Sequence, residues 1–214
     1  MSNKHDLEVS VKALAAYDEE DYAAALQLFK SITATSKILF NMARLFADLG
    51  QHVEAVSLFE AAIAKDAYMA VAFFQCGVSY YHLRNMDSAM RSFNEALFHL
   101  RGNKSIDYEQ LGLRYKLYAC EVLFNRGLCY FQLNQDRDGM QDLQFALQEK
   151  QTPAHDIVDE AIRDQGEGYT VFSVPTGTLY RPLDQKVRNL AVRNYLGKAR
   201  LVAATDESDN YTGF

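Results

Sequence analysis

What most constrains the fold of this chain is a pattern of small and aromatic residues that recurs at fixed offsets. Phe73, Cys76, Gly77, Tyr80, Ala89, Phe93 and Ala96 place large and small side chains in turn along two predicted helices joined by a turn. Two antiparallel helices come close only where side chains are small. Gly77, Ala89 and Ala96 therefore mark the contact line, and Phe73, Tyr80 and Phe93 fill the space beside it. Subtracting 34 gives Ala43, Ala55, Phe59 and Ala62, with Phe46 in the place of Tyr80. A further step of 30 gives Ala13, Ala25 and Phe29. In the forward direction the match falls at 50, on Gly127, Tyr130, Gly139, Leu143 and Ala146. A single hairpin of this kind cannot bury its own apolar faces, so the copies must stack.

The period and the residue classes are those of a tetratricopeptide repeat. The expected fold is an all-α superhelix of four such repeats, with an insertion at about 101–116 between repeats three and four. Helices are predicted at Leu7 to Tyr17, 21–31, 37–49, 52–65, 70–84, 86–100, 111–133 and 136–149. Gly50 stands where a turn residue is needed, and Ser36 is placed to cap the helix it precedes. Ala154 to Gln165 reads as a capping helix over the last repeat, which closes a first domain at 1–165.

Gly166 to Pro182 reads as extended, with Val171-Phe172-Ser173-Val174 at its centre, and Leu183 to Tyr195 as a basic helix. An apolar extended stretch needs a surface to cover it. The first helices of the repeats offer one: Phe40, Phe74, Val78, Tyr81, Phe124, Leu128 and Phe131 project towards a common groove. The extended segment and helix of 166–195 are expected to fold back on the repeats, with Val171 to Pro182 lying in this groove, leaving 196–214 as a separate tail. A groove that clamps a C-terminal carboxylate would present Lys and Arg, whereas repeat three presents Val71 and Gln75.

The formal net charge of −6 argues against sequence-independent binding to nucleic acid or to an anionic membrane, both of which need a basic face. No apolar run approaches the roughly 18 residues that would suggest a membrane-spanning helix, and MSNKHDLEVS lacks an apolar signal core. A cytoplasmic monomer without membrane insertion is expected. Cys76, Cys120 and Cys129 form no Cys-x-x-Cys pair and read as buried thiols. No glycine-rich phosphate loop, Gly-x-Ser-x-Gly or His-Glu-x-x-His occurs. The histidines fall at turns or on helix surfaces, and His82 and His99 bring no carboxylate or Cys partner to a metal. Neither an enzyme nor a cofactor or metal is expected.

The insertion Leu100-Arg101-Gly102-Asn103-Lys104-Ser105-Ile106-Asp107-Tyr108 and the following Leu111-Gly112-Leu113-Arg114-Tyr115-Lys116-Leu117-Tyr118-Ala119-Cys120-Glu121-Val122-Leu123-Phe124-Asn125 resemble one family closely. It is that of the large cytosolic activator of the phagocyte NADPH oxidase, together with its fungal relative, the NADPH oxidase regulator. Ala70-Val71-Ala72-Phe73-Phe74-Gln75 and Tyr195-Leu196-Gly197-Lys198-Ala199 extend the resemblance over nearly the whole chain in the same order, and the fungal member is the nearer match.

The resemblance implies a non-catalytic activator that binds the GTP form of a Rac GTPase on the edge of the repeats. By position, the contacts would come from Ser36, Asp66, Tyr68, Arg101, Asn103, Ser105 and Asp107. Ser105 and Tyr68 differ from the Leu and His of the animal pattern. Arg101 and Asp107 also have a second reading, as an internal ion pair that staples the insertion. Leu196 to Asp206 resembles the segment that acts on the membrane-bound oxidase subunit, with Leu201 and Val202 as its apolar residues; their other reading is packing on repeat four or a frayed end. The chain then reads as an N-terminal fragment, cytoplasmic and recruited to membranes through its partners. A constitutive scaffold that binds a peptide in the groove is the competing function.

Overall fold

The computed structural model describes residues 4–189. Its helices come in four consecutive pairs: α1 (Lys4–Asp18) with α2 (Tyr22–Lys30), α3 (Ser36–Asp48) with α4 (His52–Lys65), α5 (Ala70–His82) with α6 (Met86–Leu100), and α7 (Ala119–Gln132) with α8 (Asp136–Gln148). A 3-10 turn at Pro153–Asp156 leads into α9 (Ile157–Arg163), which buries Val158 and Ala161 completely.

The small residues do what the spacing requires. A Cβ added to Gly77 would lie 2.6 Å from the Phe93 ring, closer than two carbons can stand, so α5 and α6 meet there only because the side chain is absent. Each pair turns on one residue in left-handed backbone: Glu20 (φ 62°), Gly50 (φ 74°), Arg84 (φ 60°) and Asn134 (φ 57°). These positions recur at the offsets of the repeats, but Gly50 alone among them is glycine. Helix starts are capped locally, by Asp21 on the Ala24 amide (3.0 Å) and Asn85 on the Ser88 amide (3.2 Å). At α3 the cap is Thr35, whose Oγ1 accepts from the Ile38 amide at 3.3 Å, and Ser36 is the first helical residue. The expectation of Ser36 as cap is thus corrected by one residue, because Thr35 holds the extended backbone a cap needs.

The helix expected from about 111 begins instead at Ala119. Before it, β1 (Ser105–Asp107) and β2 (Lys116–Tyr118) form a two-stranded antiparallel hairpin, with Ser105 opposite Tyr118 and Asp107 opposite Lys116. Gly112 at φ 93° closes a 3-10 turn over Glu109–Leu111, a conformation that breaks a helix. From Leu113 to Leu117 burial alternates, with Leu113 and Leu117 fully buried and Arg114 and Lys116 exposed, which is the period of a strand.

Two apolar clusters result. One gathers Val9, Leu14, Phe29, Ile38 and Leu45 from the first helices, and the other holds the remaining repeats. Residues 171–181 run without regular structure and supply Leu179 to the first cluster and Val171, Val174 and Tyr180 to the second. The chain divides into one compact unit ending at Arg181 and a second from Pro182, in which residues 184–189 are helical.

Candidate functional site

Two surfaces carry the residues singled out above: the edge formed by inter-helix loops with the insertion, and the faces of α3, α5 and α7 that receive the strap of residues 171–181.

The edge is built on the ends of α4 and α6. Asp66 follows α4 and accepts from the Tyr68 amide at 3.1 Å, which folds the loop so that the Tyr68 side chain stands 72% exposed. Arg101 ends α6 in left-handed backbone (φ 53°), and its guanidinium lies 5.9 Å from the centre of the Tyr68 ring. His99 meets the Tyr68 ring edge-on at 5.8 Å and stacks on Phe73 at 5.2 Å. Asn103 caps α6 through Nδ2 on the Leu100 carbonyl (2.8 Å). Ser105 lies in β1, and Asp107 accepts from the Glu109 amide at 2.9 Å. Asp66, Tyr68 and Arg101 are thereby brought together, with Asn103, Ser105 and Asp107 following along the hairpin. No ion pair joins Arg101 to Asp107 among the described residues, and the Arg101 guanidinium lies beside the Tyr68 ring instead. Ser36 is half-buried at the start of α3. Its neighbour Lys37 reaches the Leu111 carbonyl and lies 5.1 Å from the Tyr180 ring centre, so the start of α3 and the insertion are joined.

The strap is held by three amides. Asn41 on α3 donates to the Tyr180 carbonyl (2.8 Å) and accepts from its N–H (2.7 Å). Asn125 on α7 does the same for Phe172, at 2.8 and 2.7 Å. Between them, Gln75 Oε1 on α5 accepts from the Val174 amide at 2.9 Å and the Ser173 hydroxyl at 3.1 Å. All three side chains are fully buried. Apart from the Ser173 hydroxyl they read backbone, which is how an extended segment satisfies its polar groups away from a sheet. Arg44, 2% exposed, adds a guanidinium contact to the Val174 carbonyl (3.1 Å) and pairs with Asp48 at 2.6 Å; burial nonetheless lowers its pKa.

Aromatic contacts complete the packing. Phe40 meets Tyr180 at 5.1 Å and Phe124 meets Phe172 at 4.9 Å, both edge-on, while Phe131 lies against Gly166. Phe74 is buried and packs on Phe93 at 6.1 Å. Val78, Tyr81 and Leu128 are also buried on the same three helices.

Sequence reasoning noted Gln75 only as an uncharged groove residue and passed over Asn41 and Asn125 as its partners, although the three recur at 34 and 50, the offsets that align the repeats. It also passed over the joint between strap and insertion. There the Arg181 amide donates to the Gly112 carbonyl at 2.7 Å, and its guanidinium forks onto Asp18 of α1 at 2.9 and 2.5 Å. Leu201 and Val202 lie outside the described residues.

One buried acid lies behind the insertion. Burial pushes the Glu121 carboxyl up to about 7, against the opposing effects of a 2.7 Å bond from the Tyr115 hydroxyl and one from the Tyr118 backbone. His155 Nε2 lies 3.8 Å from it, and burial holds that imidazole below its ordinary pKa. Among the described residues no group of three or more His, Cys, Asp or Glu is placed to hold a metal. No described helix is long and apolar enough to cross a membrane.

No family model matches the chain. The chain is 36% identical over 206 residues to neutrophil cytosol factor 2 of Bos taurus, covering 95% of this chain and 39% of that protein. It is 32% identical over 203 residues to NADPH oxidase activator 1 of Rattus norvegicus, covering 93% and 45%. A third relative, the NADPH oxidase activator of Dictyostelium discoideum, is 30% identical over 118 residues, or 55% of this chain and 20% of that protein. The chain thus spans less than half the length of these relatives. Among solved structures, MamA superposes with a TM-score of 0.58 at 13% identity over 85% of this chain and 89% of its own. YrrB, a tetratricopeptide-repeat protein with an unusual peptide-binding site, superposes with 0.57 at 15% identity over 71% of each. Those likenesses show the fold, and the sequence relatives name the lineage: this chain is a tetratricopeptide-repeat homologue of neutrophil cytosol factor 2 and the NADPH oxidase activators.

Proposed function

We propose that the chain is a non-catalytic activator of a superoxide-producing NADPH oxidase, and that it binds a Rac-type GTPase in its GTP form. The contacts are Ser36, Asp66, Tyr68, Arg101, Asn103, Ser105 and Asp107. The observation that carries this reading is the assembled edge, where Arg101 lies 5.9 Å from the centre of the Tyr68 ring and a hydrogen-bonded hairpin continues from it. A surface already held in shape loses little entropy on binding, and an exposed aromatic beside an Arg is the composition of an interface anchor. The names of the relatives supply the oxidase. GTP dependence follows when the edge touches a switch segment that the γ-phosphate orders.

On the competing reading, a constitutive scaffold would need the faces of α3, α5 and α7 open to a peptide. In this chain its own strap occupies them, which favours the edge. We assign contact with the membrane-bound oxidase subunit to Leu201 and Val202 within the tail 196–214, after a repeat domain at 1–165 and a returning segment at 166–195. The protein acts as a cytoplasmic monomer drawn to membranes by its partners.

Titration calorimetry against Rac loaded with a non-hydrolysable GTP analogue or with GDP tests this. Binding to the GTP form alone, weakened about tenfold or more by Arg101→Ala (about 1.4 kcal/mol), is the expected outcome. Equal binding to both forms, or none, overturns it.

A further inference from the structure

A cavity of about 300 Å³ opens where the turn after α5 meets the start of the strap, lined by Tyr81, His82, Arg84, Gln132, Tyr169 and Thr170. No carboxylate is among these residues. Arg84 occupies left-handed backbone (φ 60°), like Glu20 and Asn134 at the equivalent turns, and places a guanidinium at the mouth of this cavity. That guanidinium donates to Gln132 Oε1 at 3.4 Å and joins no ion pair among the described residues. The amide nitrogen of Gln132 remains as a donor. Asp87 belongs to a neighbouring cavity that Arg84 also borders.

His82 stacks on His52 with ring centres 4.5 Å apart, and the Nδ1 of His52 is buried without a partner. Burial and the Arg84 charge both hold the His82 pKa below its ordinary value, so an anion at this place would relieve rather than add to the strain on its charge. A guanidinium, an imidazole and an amide around a cavity without carboxylates form the donor set of an oxyanion site. Of the hydroxyls on its wall, Tyr169 is committed to Asp164 at 2.6 Å and Tyr81 is buried. Thr170 is exposed and lies in irregular backbone, as a modifying enzyme requires.

We propose that this cavity is a phosphoryl-binding site, filled either by a phosphate ester made on Thr170 or by free phosphate. In the first case a protein kinase transfers the γ-phosphoryl group of a nucleoside triphosphate to Thr170 Oγ1. The new P–O bond replaces the one to the departing nucleoside diphosphate, and the hydroxyl proton is released. The ester brings a charge of about −1.5 to −2 two residues before Phe172, whose backbone Asn125 holds, and so pins the entry of the strap.

The test compares the full chain with a chain carrying phosphothreonine at 170, and titrates the unmodified chain with inorganic phosphate. His82 is followed by NMR, and amide exchange is followed at Phe172 and Val174. Phosphothreonine is expected to move the His82 titration to higher pH and slow both amides several-fold. Both effects should be lost in Arg84→Gly, a change that relieves the left-handed strain and so keeps the fold. A saturable His82 response to inorganic phosphate, also lost in Arg84→Gly, assigns the site to the free anion; a response to phosphothreonine alone assigns it to the chain. Silence of His82 in both arms, or responses that Arg84→Gly leaves intact, overturns the proposal.

Discussion

At Gly112 the backbone stands at φ 93°, and a Cβ would fall 2.2 Å from the Arg181 carbonyl oxygen. Gly102 has φ 74° with nothing within 4 Å of the same added atom. The two glycines separate conformational strain from contact. Gly102→Ala should cost only the left-handed penalty of about 1–2 kcal/mol. Gly112→Ala should cost more, by about another 1–3 kcal/mol, because the strap must move off and the Arg181 amide loses its acceptor. Urea denaturation of both variants measures the difference. Glu121 gives a second test at this scale. Its folded pKa of about 7 lies above the unfolded carboxylate, so the folded state binds that proton more tightly. The contribution to stability is full below the unfolded pKa and is lost as pH rises through about 7. His155 works in the opposite sense: its depressed pKa removes stability as pH falls. The other groups at this site are Tyr115, Tyr118 and Cys120, beside Glu121, and Lys150 and Asp156, whose opposite charges both act on His155. Glu121→Gln should remove the loss on the alkaline side, on the order of 1–3 kcal/mol, and leave that on the acid side, as read from thermal midpoints between about pH 5 and 8.

Among the elements, the helices were the most legible part of the sequence because their contacts are local and repeated. Gly77 against Phe93 is one such pair, and its spacing names both helices. The insertion was less so. Its hairpin depends on Gly112 and on a short alternation from Leu113 to Leu117, which the helical reading of 111–133 absorbed. The strap was legible as an apolar segment in need of cover, yet its anchors were not. Asn41, Gln75 and Asn125 are polar residues on a face that aromatic side chains had marked as apolar, and they make sense only once a backbone lies across them. The edge residues came from resemblance alone, since an exposed Tyr68 and Arg101 carry no periodic signal. The amides lead to a prediction. Asn41→Ala strips two hydrogen bonds from the backbone of Tyr180, and Asn125→Ala two from that of Phe172, and each should destabilise by about 1–3 kcal/mol. Because they act on separate repeats, Asn41→Ala and Asn125→Ala together should come close to the sum of the two. A double variant no worse than either single one would mean that the strap is released as a whole once one anchor fails.

For the unit ending at Arg181, the strap changes what kind of repeat array this is. Stacked repeats alone interact only with their neighbours, so such an array can unfold piecewise. Here residues 171–181 touch α7, α5 and α3 in turn, reach Gly112 of the insertion, and close on Asp18 of α1. They also put Leu179 into one apolar cluster and Val171, Val174 and Tyr180 into the other. The two cores are thus tied by one segment, and the edge that we assign to the GTPase is tied through Gly112 to the same segment. A chain ending at Gln165 should lose this linkage. It should melt lower, bind a hydrophobic dye at the uncovered Phe40 and Phe124, and unfold in two steps, the first-helix cluster separating from the rest. Calorimetry and circular dichroism on the truncated and full chains measure it. One coincident transition at an unchanged temperature, with no dye bound, would show that the repeats hold together without the strap. The amide contacts would then be a consequence of the fold and not one of its supports.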